Sequence, residues 1–187
     1  MASDGGAGWA VLRPWRADDA ADLRAAFVGA DDLVRQFGGL DLADPAVCNQ
    51  FIAEQLLGRD VSARQFAIAV EDKAVGNVAV TNIEHRHATA WVSYWLAVDA
   101  RGHGWAARAV ATAAAWAYAD RQLVRLELGH RTDNPASCAV ARRAGFAAEG
   151  IERSKLAYGD LRFDVETHAR LRDDPDPELE LLPVLSS

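Results

Sequence analysis

The order of apolar and polar positions divides the chain into alternating strands and helices. Residues 10–13 form a short apolar run closed by Pro14 and predict a first strand. Over 17–28 apolar residues return at helical spacing, with Asp18 and Asp19 near the positive end of the helix dipole. Residues 29–43 hold no sustained period and read as irregular. Asp44 and Pro45 suit the cap and first turn of a second helix, which runs to about Leu57 before Gly58 ends it. Three strands follow over 65–70, 75–83 and 90–98, and their short links make an antiparallel meander. An alanine-rich helix over 105–121 leads to a strand over 123–129, parallel to the one before it if the helix crosses over. A helix over 135–144 and strands over 146–155 and 161–171 complete the pattern. The sum is an α/β domain over 9–172 with a mixed sheet, a disordered start over 1–8, and an acidic, proline-bearing tail over 173–187. The tail reads as mobile, with 179–185 apolar enough to pack.

One junction carries chemistry. The run Trp91-Val-Ser-Tyr94-Trp95-Leu96 ends in Ala97 and Val98, and then comes Arg101-Gly102-His103-Gly104-Trp105-Ala106 at the start of the alanine-rich helix. Glycines let a backbone approach a ligand closely, and the first amides of a helix lack carbonyl partners. Together with Arg101 they predict an anion site, suited to a pyrophosphate. No Gly-Lys-Ser/Thr follows, so it is not an ATPase P-loop, and Ala106 breaks the dinucleotide pattern of three glycines.

Composition narrows the class. The chain has 187 residues, half apolar and a quarter charged, as in an ordinary globular domain. Its formal net charge of −7 argues against nucleic-acid binding. No apolar run approaches the ~20 residues of a membrane span, and the N-terminus does not read as a signal peptide, so a cytoplasmic protein is expected. Cys48 and Cys138 fit neither a disulfide framework nor a metal spacing, and His85 and His87 lack a third ligand, so no metal is expected. Cys138 falls in a predicted helix as a small, buried residue.

A second motif follows the loop: Asn134-Pro-Ala-Ser137, then Gly145-Phe146-Ala-Ala-Glu149-Gly150. With the Arg-x-x-Gly-x-Ala loop before it, the pair resembles the GNAT superfamily of acyl-CoA N-acyltransferases, in its RimJ/RimL-type branch. Tyr94-Trp95-Leu96 and the closing Tyr158-Gly-Asp160 and Asp164 belong to the same likeness, which spans roughly residues 10–172. The resemblance implies a GNAT fold, a mixed and mostly antiparallel sheet whose central parallel strands splay apart, flanked by helices. It implies acetyl-CoA as co-substrate, with Leu96, Ala97 and Val98 along the pantetheine arm. Arg101, Gly102, His103, Gly104, Trp105 and Ala106 would hold the pyrophosphate, and Asn134 and Ser137 would contact the arm and sulfur. An amide near Val98 would polarise the thioester.

The tyrosine that many members use as general acid is Ala141 here, so Ser137 inherits that role or serves as a cap or cofactor contact. The glutamate base of RimL-like enzymes matches Leu156 here. Glu84, Glu127, His130, Asp133 or a water chain remain for the base, and Glu127 is carried forward beside Ser137. The acceptor is expected against residues 29–60 and the 155–164 turn, where Trp15, Phe37, Trp91 and Trp95 can line its site. A protein or peptide N-terminal amine is the leading acceptor, and a homodimer would suit the branch. A small cationic amine, of aminoglycoside or polyamine type, and a non-catalytic CoA-binding module are the alternatives.

Overall fold

Seven strands form one sheet in the computed structural model, which describes residues 9–28, 30–58 and 61–186. They are β1 (Ala10–Arg13), β2 (Arg64–Val70), β3 (Lys73–Glu84), β4 (Thr89–Leu96), β5 (Arg125–Arg131), β6 (Ala147–Tyr158) and β7 (Leu161–Leu171). Their order is β1-β2-β3-β4-β5-β7-β6. Every neighbouring pair is antiparallel except β4 with β5. Glu71 and Asp72, both at positive φ (49° and 68°), turn β2 into β3, a backbone that matches the right-handed twist of a hairpin.

The parallel pair is where the sheet opens. β4 and β5 are in register only at Thr89 with Arg125, Ala90 with Leu126 and Trp91 with Glu127. Beyond these positions β4 runs on to Leu96 and β5 to Arg131 without pairing to each other. The splay expected from the family likeness is therefore present.

Helices cover both faces. α1 (Ala20–Val28), α2 (Asp31–Gln36) and α3 (Pro45–Phe51) lie over one, where Leu23, Phe27, Leu33 and Ile52 pack with Trp15 and Trp95. α4 (Trp105–Asp120) and α5 (Pro135–Arg143) lie over the other, with Val110, Leu126 and Phe146 in the core. Alanine has the highest helix propensity and the least bulk, so α4 can lie close against the strands. Ala109, Ala111, Ala113 and Ala114 accordingly have no exposed surface. Beneath α1, Arg13 is buried and forks onto Asp19 at 2.6 and 2.8 Å.

Several expectations change in detail. The first helix starts with a 3₁₀ turn over Ala17–Asp19. The stretch read as irregular contains α2, six residues led by Asp31 and Asp32, too short for a period to show. The second helix is α3 followed by a π-helical turn over Ile52–Leu56. The tail is docked along part of its length. Leu12 donates to Pro183 O and Leu185 donates to Leu12 O, both at 2.8 Å, and buried Leu182 donates to Thr112 Oγ1. The disorder expected over 1–8 lies outside the described residues. Among those described, no helix is long and apolar enough to cross a membrane.

Candidate active site

A cavity of about 340 Å³ lies where β4 ends, between the glycine loop, the start of α4 and α5. Leu96, Arg101, Gly102, Gly104, Ala106, Asn134 and Ser137 all line it. Gly102 and Gly104 hold φ of 84° and 77°, left-handed conformations that side chains resist. Gly104 is also the cap of α4, so the amides of 105–107 have no partners within the helix, and Ala106 and Ala107 line the cavity. Four residues of the predicted cofactor set do not line it. Ala97 donates to Val75 O at 2.9 Å, and Val98 starts a 3₁₀ turn. His103 stacks on the buried Trp105 with ring centroids 4.5 Å apart.

Two arginines set the charge here. Arg101 donates to Leu96 O (3.2 and 3.1 Å) and pairs with Asp32 at 2.9 Å, which ties α2 to the loop. Arg143 was not anticipated. Its guanidinium nitrogens stand 3.6 and 3.8 Å from where a Cβ on Gly104 would lie, and it makes no ion pair among the described residues. Its only mark in the sequence is a basic residue in the last turn of α5. Nothing local shows that this turn crosses the loop.

A second cavity, about 570 Å³, lies on the other side of the opening. Trp91, His130, Arg131, Asp133, Leu156 and Tyr158 line it. Asp32, Tyr94, Asn134, Ala136 and Ser137 line both cavities, so the two meet between the diverging ends of β4 and β5. Asn134 caps α5, its side chain accepting from the Ser137 amide at 3.0 Å, which fixes Ser137 at this junction. The Tyr94 hydroxyl, also at the junction, is covered and completes no hydrogen bond. Burial pushes the Tyr94 phenol up, and nearby Ser137 acts against that rise. Tyr94 served above only as part of a family pattern. Its convergence with Ser137 depends on strand and helix placement.

The base candidates separate clearly. Glu127 lines neither cavity and accepts from Arg125 at 2.7 Å, so the structure does not bring it to Ser137. The Glu84 carboxylate accepts the Arg86 and His87 amides, which holds it below the usual range. Asp133 reaches the second cavity, but Arg131 donates to it at 2.8 Å and holds its carboxyl low. His130 reaches the cavity too, with both ring nitrogens in close contacts. Of the aromatic residues, Trp95 lines the first cavity and Trp91 the second. Trp15 and Phe37 pack against Trp95, at centroid distances of 6.1 and 6.0 Å.

The sheet thus parts at its one parallel pair, with the glycine loop and one cavity on one side and a second cavity on the other. Residues 10–147 match the acetyltransferase (GNAT) domain family, and the chain belongs to it. It is similar to the ribosomal-protein-serine acetyltransferase of Escherichia coli (strain K12), with 32% identity over 111 residues, covering 59% of this chain and 62% of that relative. The chain thus spans less than two thirds of the length of that curated relative. Among solved structures it is similar to RimL, a ribosomal L7/L12 alpha-N-protein acetyltransferase in complex with coenzyme A. The TM-score is 0.77 at 23% identity, covering 90% of this chain and 96% of that one. Mycobacterium smegmatis RimJ in complex with CoA-disulfide gives 0.73 at 25% identity, covering 87% and 81%.

Proposed function

We propose that this protein transfers an acetyl group from acetyl-CoA to the N-terminal amine of a protein or peptide. The observation that carries the reading is the meeting of the two cavities at the β4–β5 opening, between an anion loop and Ser137. The loop amides and Arg143 suit the pyrophosphate of the donor, and the open edge of β4 suits its amide-bearing arm. The amine nitrogen attacks the thioester carbonyl, the carbon–sulfur bond breaks, and the departing sulfur takes up a proton. Ser137, which lines both cavities, supplies it in this reading. The amine must also shed a proton, and water in the second cavity, beside His130, is the route left once Glu127 is paired away.

The second cavity favours a peptide over a polyamine. Its carboxylates, Asp32 and Asp133, are both paired to arginines, and Arg35 and Arg131 balance them. No surplus negative charge remains there for a polycation. Two of the relatives named above, the Escherichia coli protein and RimL, carry ribosomal-protein acetyltransferase names, which agrees with a protein acceptor.

Thiol release with acetyl-CoA tests the reading against N-terminal peptides, polyamines and aminoglycosides. Turnover is expected on peptides, and turnover confined to polyamines or aminoglycosides would overturn the choice of acceptor. Coenzyme binding without turnover on any class would favour a binding module. Ser137→Ala is expected to lower kcat by about tenfold, less than the ~10²–10⁴ of a typical acid, because a thiol of pKa ~8.5 leaves readily. Arg143→Ala is expected to weaken coenzyme A binding about threefold, as for an exposed charge pair. Titration calorimetry should show that difference shrinking as salt rises.

A further inference from the structure

Beneath α5, away from the glycine loop, four side chains with metal-binding atoms converge. They are His130 on β5, Glu166 and His168 on β7, and Cys138 on α5, with all four donor atoms within 4.8 Å of one another. The strand register makes the meeting. His130 pairs with Glu166 and Leu128 with His168, so the three side chains share the face that α5 covers.

The hydrogen bonds leave this cluster short of positive charge. His130 Nδ1 lies 2.9 Å from Arg131 O, and His168 Nδ1 lies 3.3 Å from Phe146 O. A carbonyl oxygen only accepts, so each Nδ1 carries the ring's proton. In a neutral imidazole Nε2 is then a bare lone pair. Yet the two Nε2 atoms face each other at 3.0 Å, and Glu166 Oε2 lies 3.0 Å from one and 3.3 Å from the other. Three acceptors in mutual contact, two of them on nearly buried rings, need a positive centre between them. Cys138 Sγ adds a soft donor 3.5 Å from the same carboxylate oxygen.

We infer that His130, His168, Glu166 and Cys138 bind a divalent cation of the zinc class. A tetrahedral zinc site with bonds near 2.0 Å has ligand-to-ligand edges of ~3.3 Å, and the nitrogen–oxygen triangle already approaches that size. One ion satisfies all four donors together, whereas a single shared proton serves one line of contact. Imidazoles whose far nitrogen donates to a backbone carbonyl have the outer support usual for histidine ligands. Glu166 is partly exposed, its side chain 23% accessible, and gives the ion a path in. The ion would bolt α5 to β5 and β7 one residue away from Ser137, fixing the helix turn that stands at the opening. It would be a positioning site for α5, with its His130 ligand at the edge of the second cavity.

The test is Co²⁺ titration of the full chain after dialysis against a chelator. One Co²⁺ per chain is expected, with intense visible bands of tetrahedral geometry and a near-ultraviolet thiolate-to-cobalt band. Cys138→Ser should remove the thiolate band and keep the visible ones. Glu166→Gln should weaken binding at least tenfold and abolish the rise in thermal midpoint that Zn²⁺ gives the parent. Both variants sit at partly exposed side chains, so folding is checked by circular dichroism before titration. No uptake by the folded parent means that protons alone hold the cluster, and overturns the inference. Uptake whose spectrum and affinity are the same in both variants places the ion elsewhere, and overturns it equally.

Discussion

Gly104→Val is expected to lower affinity for coenzyme A by about 100-fold, or ~2.7 kcal/mol. Two causes add. Gly104 holds φ at 77°, and a β-branched residue there is strained by ~1–3 kcal/mol, so the cap of α4 shifts. A Cβ there stands in ordinary contact with the Arg143 guanidinium, at 3.6 and 3.8 Å, so the added γ-methyls of valine crowd the space that guanidinium shares with the loop. Hydrogen bonds from amides to a charged phosphate are worth ~1.5–3 kcal/mol each, and misaligning one or two accounts for the loss. Gly102→Val is the useful comparison. Its φ of 84° carries the same strain, but a Cβ there meets nothing within 4 Å, so Arg143 stays in place. Its loss is expected to be smaller. Calorimetric titration with coenzyme A checks both, and an unchanged affinity in Gly104→Val would contradict the role given to the loop.

Asp19→Ala is expected to cost about 3–5 kcal/mol of stability. Arg13 is 1% exposed, and Asp19 receives its two guanidinium nitrogens at 2.6 and 2.8 Å as well as the Arg16 amide at 2.8 Å. Removing the carboxylate leaves a buried cation supported by Pro14 O, Asp72 O and the more distant, exposed Asp72 carboxylate. Total stability of a domain is ~5–15 kcal/mol, so the variant sits near its unfolding threshold. Replacing Arg13 by Met in the same chain should recover part of the loss, since no unpaired charge remains. Urea unfolding of the three proteins measures this. An Asp19→Ala midpoint equal to the parent's would show that the pair is not a keystone of the fold.

Local chemistry explains which parts of this molecule were readable. Asp44 and Asn134 announce their helices because capping is written in a few adjacent residues. The glycine loop announces the turn into α4 for the same reason. α2 stayed hidden because six residues span less than two turns. Arg143 and Tyr94 owe their places to packing between α4, α5 and β4, which no window of sequence contains. Glu127 shows the reverse failure. Its residue type suits a base, but Arg125 two positions before it on the same strand face takes its carboxylate. His130 and His168 lie 38 residues apart, and only the register of β5 on β7 brings their rings together. The tail reads as mobile because its acidic, proline-bearing start dominates the composition, while Leu179 and the buried Leu182 pack its later part on the core.

The next measurement is calorimetric binding of a bisubstrate ligand, coenzyme A joined through its sulfur by a methylene-carbonyl link to the N-terminus of a short peptide. If the carrier and acceptor cavities meet at the β4–β5 opening, this ligand binds much more tightly than coenzyme A or the peptide alone, and Gly104→Val weakens it. Binding no tighter than coenzyme A alone would mean that the peptide does not enter the second cavity, and would contradict transfer across the opening.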